Sequence, residues 1–459
     1  MTDDIAREVT CGLLLVSAAL VLTGSLWAQA GPSPGAGDRT PLRDWFVAPG
    51  GDDAGPGTRD KPFATIQKGA DSAGPGETVY IAGGKYVERV TLRRSGRMVH
   101  GPIRIQAVRG QKVVVTPGAA PGYAVINTGG ADYIVLSGLA VEDSPAGVGI
   151  AVVGSWTVTL EDCRTARTPH SGIIIDKSGV VTVNRCEVEK ACMSGGEESV
   201  SVKRSQHVSV SHCHIHDTGH EGIDVKEGSQ HVRVFGNHLH GVDRQALYAD
   251  AWDTLTADIE FTGNRVHDCG FGIALGAETG GLLSRVSVTN NLVYRCRGPG
   301  IILASWGGSG KRHPLDTIII AHNTVWRNGD EARDDWGGGI VFDTEEAANV
   351  SVCNNILSRN GWGQLRTARE KSVGTAVGKR PGPGLVIRRN LIDGPTEDFG
   401  EVNVEGDPKF EDAERGDFRL LPGSAAIDAA AGGGPATDFA GTPRPQGRGF
   451  DIGAFEFTP

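Results

Sequence analysis

VRVFGNHLH (232–240), IEFTGNRVH (259–267), VSVTNNLVY (286–294) and IIIAHNTVW (318–326) repeat one pattern: an alternating apolar run, a tight turn, an asparagine and a second short run. Apolar residues at period two read as strand. Outward from these four, the segments DCR, RCEV, HCHIH, NNILS and RNLID extend the same column. It contains Cys163, Cys186, Cys213, Asn237, Asn264, Asn291, Asn323, Asn355 and Asn390, at spacings of 23, 27, 24, 27, 27, 32, 32 and 35 residues. A β-rich repeat of this size is one coil of a parallel solenoid, which buries its apolar face against the coils on either side. Asparagines stacked one strand spacing apart, about 4.8 Å, hydrogen-bond along the stack. Cysteine in that column is a small buried filler. Of the eight cysteines, Cys11 lies in the leader described next, and the odd number left fits poorly with a fully paired disulfide framework.

The repeat fills residues 101–395 of a 459-residue chain that holds 67 Gly and 23 Pro, a combined share well above the usual ~12%. That composition excludes a long-helix protein. With 22% charged residues and a formal charge of -10, the chain has no nucleic-acid footprint. Residues 1–30 read as a signal peptide: the apolar run GLLLVSAALVLTGSLWA (12–28) leads into Ala28-Gln29-Ala30, a small-x-small site. Export to the medium, periplasm or cell surface follows, with no membrane span after cleavage. The acidic Asp3, Asp4 and Glu8 outnumber Arg7 ahead of that run, so an uncleaved anchor is the alternative. Residues 31–44 form a Pro/Gly linker. Residues 45–100 hold an N-terminal cap, with a short helix near Thr65–Ala73, and the first rungs; 396–459 form a C-terminal capping segment.

The opening WFVAPGGDDAGPGTRDKPFATIQKGAD (45–71), the repeat, and the closing GDPKFEDAERGDFRLLPGSAAIDAAA (406–431) with TDFAGTPRPQGRGFDIGAFEF (437–457) carry a resemblance. Over most of 45–459 the chain resembles secreted right-handed parallel β-helix proteins of the pectate-lyase-like superfamily. The resemblance implies an all-β solenoid with N-terminal helical and C-terminal caps. The WiDH pattern of the best-known pectate lyases and the GHG and RIK patterns of polygalacturonases are missing, so no family's catalytic residues carry over.

A second strand recurs in each coil, as EGIDVKEG, QALYADAW, FGIALGAE and PGIILASW. With Ile223, Leu247, Ile273 and Ile301 pointing inward, alternate residues face out. The first outer column is Asp224, Tyr248, Ala274, Ile302. The next is Lys226, Asp250, Gly276, Ala304, preceded by Asp176 and Lys203. The third is Gly228, Trp252, Glu278, Trp306. Tryptophan faces beside carboxylates suit a sugar, and the small residues predict a groove between them. Asp250 and Glu278 are candidate catalytic carboxylates, with backbones about 8 Å apart and a carboxyl separation anywhere from the retaining (~5 Å) to the inverting (~9 Å) range. Flanking indoles favour Glu278 as the acid; Asp250, near Lys226, is expected to stay ionised. Asp224 and Lys226 complete the catalytic candidates, and Tyr248, Trp252, Trp306, Asp253, Lys203 and His220 are substrate-binding candidates.

The reading is a carbohydrate polymer or oligosaccharide cleaved by hydrolysis, with no cofactor. One alternative is a lyase performing β-elimination, with Lys226 as base and Asp224, Asp250 and Glu278 holding Ca²⁺. The other is a non-catalytic glycan-binding surface protein. In HCHIHDTGHEG, His212, His214 and His216 alternate onto one side and invite a metal reading. The stronger explanation is a ring ladder of His216, His240, His267, Tyr294 and Trp326, which occupy one repeat position. His220 and Glu221 support the groove strand. GGDDAGPG (50–57) reads as a turn rather than a Ca²⁺ loop, and residues 367–384 as an inserted loop.

Overall fold

A computed structural model describes residues 42–194, 196–307, 310–329, 337–368, 380–399 and 403–458. The signal-peptide reading of 1–30, most of the linker and most of the 367–384 insertion lie outside these residues. Each coil sends one strand, in chain order, to each of three parallel sheets. Sheet I has 13 strands, from Asp44–Val47 to Val386–Arg388; sheet II has 13, from Gly84–Val87 to Val404–Glu405; sheet III has 11, from Val90–Thr91 to Leu365–Thr367. The coils form an all-β, right-handed parallel solenoid with very little helix. Its interior is filled by β-branched and leucine side chains in register: Ile223, Leu247, Ile273 and Ile301 pair across adjacent strands, and each is fully buried.

The corner between sheets I and II carries the asparagine column. Asn237 Nδ2 donates to Asn264 Oδ1 (3.0 Å), Asn264 to Asn291 (3.0 Å), Asn291 to Asn323 (2.9 Å), Asn323 to Asn355 (2.9 Å), and Asn355 to Asn390 (2.9 Å). Each receiving Oδ1 also accepts the backbone N–H of the preceding asparagine. Stacked amides thus satisfy one another at a buried corner. The seven described cysteines are all buried and none is in a disulfide; Cys163, Cys186 and Cys213 continue the column toward the N-terminus. At the corner after sheet III, the backbone N–H groups of Ser155, Ser178 and Ser205 donate in turn to the hydroxyls of Ser178, Ser205 and Ser229.

Helix Ile66–Ser72 is capped by Thr65, whose hydroxyl accepts the Lys68 N–H at 3.2 Å. Gly69 faces the first strands; a Cβ there would stand 2.7 Å from Val79 and 2.8 Å from Val47, so only glycine permits this approach. The C-terminal segment lies against the flank of sheet II. There Phe418 packs on Tyr294 and Trp326, and the fully buried Arg444–Glu456 pair (2.7 Å) locks the segment. No helix among the described residues is long and apolar enough to cross a membrane.

Candidate functional site

Five neighbouring strands of sheet III build the site: Val200–Lys203, Ile223–Lys226, Gln245–Asp250, Phe271–Gly276 and Ile301–Ala304. Register pairs Lys203 with Lys226, Lys226 with Asp250, Asp250 with Gly276, and Gly276 with Ala304. Asp224, Tyr248, Ala274 and Ile302 form the adjacent column. The third column behaves differently. The strands end at Lys226, Asp250, Gly276 and Ala304, so Gly228, Trp252, Glu278 and Trp306 lie beyond them. Trp252 sits at φ +52°, and its side chain points to solvent.

Glu278 nevertheless reaches the cluster. Its carboxylate accepts the Tyr248 hydroxyl at 2.7 Å, and its backbone N–H donates to Asp250 Oδ1 at 3.3 Å. The same Asp250 oxygen accepts the Trp252 N–H at 2.9 Å. Gly307 (φ +126°) passes so close to the Glu278 backbone that a Cβ would lie 1.9 Å from its carbonyl oxygen. On the other side of Asp250, Lys226 Nζ is held by Glu198 and by Asp224 Oδ2 at 3.3 Å. The repeat alignment missed Glu198. It ends the loop before its strand, and its only sequence signal is that it shares a position with Glu221 in the next coil.

The expected open trough is not found over this cluster. Asp224 and Asp250 are 2% exposed and Tyr248 3%. Ala274 and Ala304 leave room for aromatic rings instead: Trp306 packs edge-on against Tyr248 (5.7 Å) and Phe271 (5.6 Å) and forms an apolar cluster with Ala274, Ile302 and Ala304. Gly276 sits under the Tyr248 hydroxyl, where a Cβ would be 3.0 Å away. Solvent reaches the cluster at its Glu278 and Lys226 edge, where both residues are partly exposed. Beside it, Trp252 and Asp253 line a cleft of about 550 Å³ with Arg204 and Glu227. Lys203 is partly exposed on the Lys226 column. His220 stands at the leading end of its strand and contacts Glu221 and Arg244.

The electrostatics reverse one expectation. Burial, reinforced by the Glu278 charge, raises the Asp250 pKa to about 7, so Lys226 does not hold it ionised. Burial likewise drives Asp224 far above the carboxylate range, and its Oδ1 has no hydrogen-bond partner. For Lys226, burial alone would lower the pKa, but Asp224 and Glu198 raise it above the usual lysine value. The fit for Ca²⁺ is poor: that ammonium already supplies positive charge among the carboxylates. Among the described residues, the groups of three with ligand atoms gathered within 4.8 Å lie on sheet II and not here. A second acid goes with the neighbouring coil: Asp343, 1% exposed and raised by burial to about 6, accepts from the Ser305 N–H and hydroxyl.

Comparison with known proteins agrees with this architecture. Three family descriptions match successive stretches: "Pel9A-like, right handed beta helix region" over 45–190, "Right handed beta helix region" over 148–313, and "Disaggregatase related" over 283–397. The uncharacterized protein YwoF of Bacillus subtilis is 24% identical over 452 residues, spanning 83% of this chain and 91% of its own length. XylC, solved in complex with xylose, superposes with a TM-score of 0.55 at 13% identity, over 91% of this chain and 98% of that one. Pectate lyase Pel9A gives 0.54 at 14% identity, over 91% and 97%. Taken with the three-sheet coil and its asparagine corner, these matches show a right-handed parallel β-helix whose fold is similar to that of pectate lyase Pel9A.

Proposed function

We propose that this protein hydrolyses glycosidic bonds at the Asp250–Glu278 pair. The observation that carries the reading is the proton on Asp250: a buried carboxyl raised to about 7 beside a carboxylate fixed by the Tyr248 hydroxyl. Glycoside hydrolysis needs one carboxyl protonated and one ionised at the same pH. Asp250, held protonated toward neutrality by burial and by the adjacent Glu278 charge, is placed to be the proton donor of such a pair. The protonated member donates to the leaving oxygen as the C–O bond breaks. The ionised member attacks the anomeric carbon or takes a proton from the attacking water. The sugar enters from the Glu278–Lys226 edge and rests on the exposed Trp252 indole at the Asp253 cleft. XylC, a protein of the same fold, is solved with xylose, which supports a sugar ligand. Residues 1–30 direct export, placing the enzyme where polysaccharide and oligosaccharide substrates occur.

The elimination reading needs a neutral lysine to abstract the proton. Lys226, held between Asp224 and Glu198 with a raised pKa, is an ammonium and a poor base. The test is a glycan panel scored for new reducing ends and for ultraviolet-absorbing unsaturated products. Reducing ends without unsaturation are expected, and Asp250→Asn and Glu278→Gln should each lower the rate by about 10²–10⁴-fold. Azide rescue of one variant would identify the nucleophile. Unsaturated product would transfer the site to the lyase class. Glycan binding without turnover, or full activity in both variants, would remove the hydrolase assignment.

A further inference from the structure

The outer face of sheet II carries two columns of imidazoles side by side. His214 pairs in register with His238, and His216 with His240 and then His267. The outer column is the expected ring ladder: His216 stacks on His240 (5.3 Å, 17°), His240 on His267 (5.3 Å, 9°), and His267 on Tyr294 (4.8 Å, 18°). The inner column stacks as well, His214 on His238 (5.1 Å, 16°) and on His216 (4.2 Å, 25°), but stacking does not explain how its ring nitrogens are aimed. His214 and His238 turn their Nε2 atoms diagonally across to the ladder, where His214 Nε2 lies 3.0 Å from His240 Nε2, and His238 Nε2 lies 2.8 Å from His267 Nε2. The ligand atoms of His214, His216 and His240 all fall within 4.8 Å of one another, and Glu187 Oε1 lies 3.2 Å from His216 Nε2.

The tautomers are set from behind. His216 Nδ1 donates to Asp217 Oδ2 at 2.9 Å, and its Nε2 faces Glu187 Oε1 at 3.2 Å, so an ion bound at Nε2 would displace the hydrogen shared there. His267 Nδ1 likewise donates to Asp268 at 2.6 Å. A carboxylate bound to the far nitrogen is the usual support for a metal-ligating histidine. The spacing also agrees. Two nitrogens on one ion at about 2.05 Å stand about 2.9 Å apart at a right angle and about 3.3 Å apart at the tetrahedral angle, values that bracket the His214–His240 separation. The C-terminal segment covers the sheet only as far as Arg265, whose guanidinium donates to the Gly416 carbonyl at 3.0 Å. The imidazoles beyond it are partly exposed, so an ion has a route in.

We propose that this face binds a divalent transition-metal ion of the Zn²⁺, Ni²⁺ or Cu²⁺ class. His214, His216 and His240 supply the imidazole ligands, and Asp217 orients His216. The site is independent of the Asp250–Glu278 pair. The test titrates the metal-stripped full-length chain with Co²⁺, followed by its visible d–d absorption, and then displaces the ion with Zn²⁺. Wild type is expected to saturate. The His214→Gln/His240→Gln double variant is expected to bind at least about a hundredfold more weakly, and Asp217→Asn about 10–100-fold more weakly. His212→Gln, which packs edge-on against Phe235 outside the cluster, should bind as wild type does. If the double variant fails to fold, the exposed Asp217→Asn decides alone. Failure of wild type to bind Co²⁺ or Zn²⁺ at micromolar concentration, or unchanged affinity in the variants, would overturn the site.

Discussion

Two outer faces of the same coil hold ionisable side chains in adjacent registers, and they manage protons in opposite ways. On sheet III the carboxyls are buried beside an open edge: Asp224 and Asp250 are 2% exposed, turn N–H groups bind Asp250, one cation serves several acids, and burial raises the pKa of both aspartates. On sheet II the imidazoles are partly exposed and line up with one another, and burial with mutual repulsion lowers the pKa of His214, His238, His240 and His267, His238 to about 4. The lesson is that strand register only brings like groups together. What covers them decides which protonation state survives. One face is a proton store near neutrality, and the other is an array of paired imidazole nitrogens.

The largest way to break the contrast is Lys226→Met. It leaves Glu198 buried without its cation and should cost about 3–5 kcal/mol in denaturant unfolding, because an orphaned buried charge loses far more than a surface pair does. Next comes pH. The Asp250 pKa is higher folded than unfolded, so its contribution to stability is complete below pH 4 and declines as pH rises through about 7, by up to about 4 kcal/mol. Melts of Asp250→Asn across pH 4–8 should lose that share of the slope; an unaltered slope would place the shifted proton elsewhere. Tyr248→Phe, which removes the hydroxyl from Glu278, should cost about 1–3 kcal/mol and shift the pH–rate profile. The smallest effect is on the imidazole face. The His238 pKa is depressed, so its contribution is present above pH 6.5 and lost as pH falls through about 4. Because the ring is only about half buried, solvent screening reduces this to about 1 kcal/mol. His238→Gln should therefore be the more acid-tolerant protein by that amount.

Much of this geometry was legible in the chain because solenoid coils superpose. The Cys163-to-Asn390 column and the Asp224–Tyr248 and Lys226–Asp250 pairings follow from counting between inward isoleucines, which cannot slip by one residue without turning the core outward. The reading lost its grip where strands stop. Counting on past Asp250 and Ala304 assumes an extended backbone, but Trp252 turns left-handed and Trp306 folds back over Tyr248, so two indoles expected to flank Glu278 do different work. Glu198 was hidden in the same way, at the end of a loop where no alternation applies. The protonation of Asp250 depends on the cover above it, which a repeat period does not encode. The diagonal contact of His214 with His240 arises between two columns, whereas a ladder follows only one.

The amide stack at the first corner has a direction. Every amide-to-amide bond points toward the C-terminus, from Asn237 through Asn390 to Asn403 at 3.1 Å, while each amide also donates back to a carbonyl of the preceding coil, and the run begins only where the thiols of Cys163, Cys186 and Cys213 leave off. In a quasi-one-dimensional array, stability is a sum of neighbour couplings. The later coils are tied by an extra cord that the earlier ones lack, so the molecule should open in blocks. Amide deuterium uptake would then proceed as a front entering from the thiol-lined end and halting near Asn237.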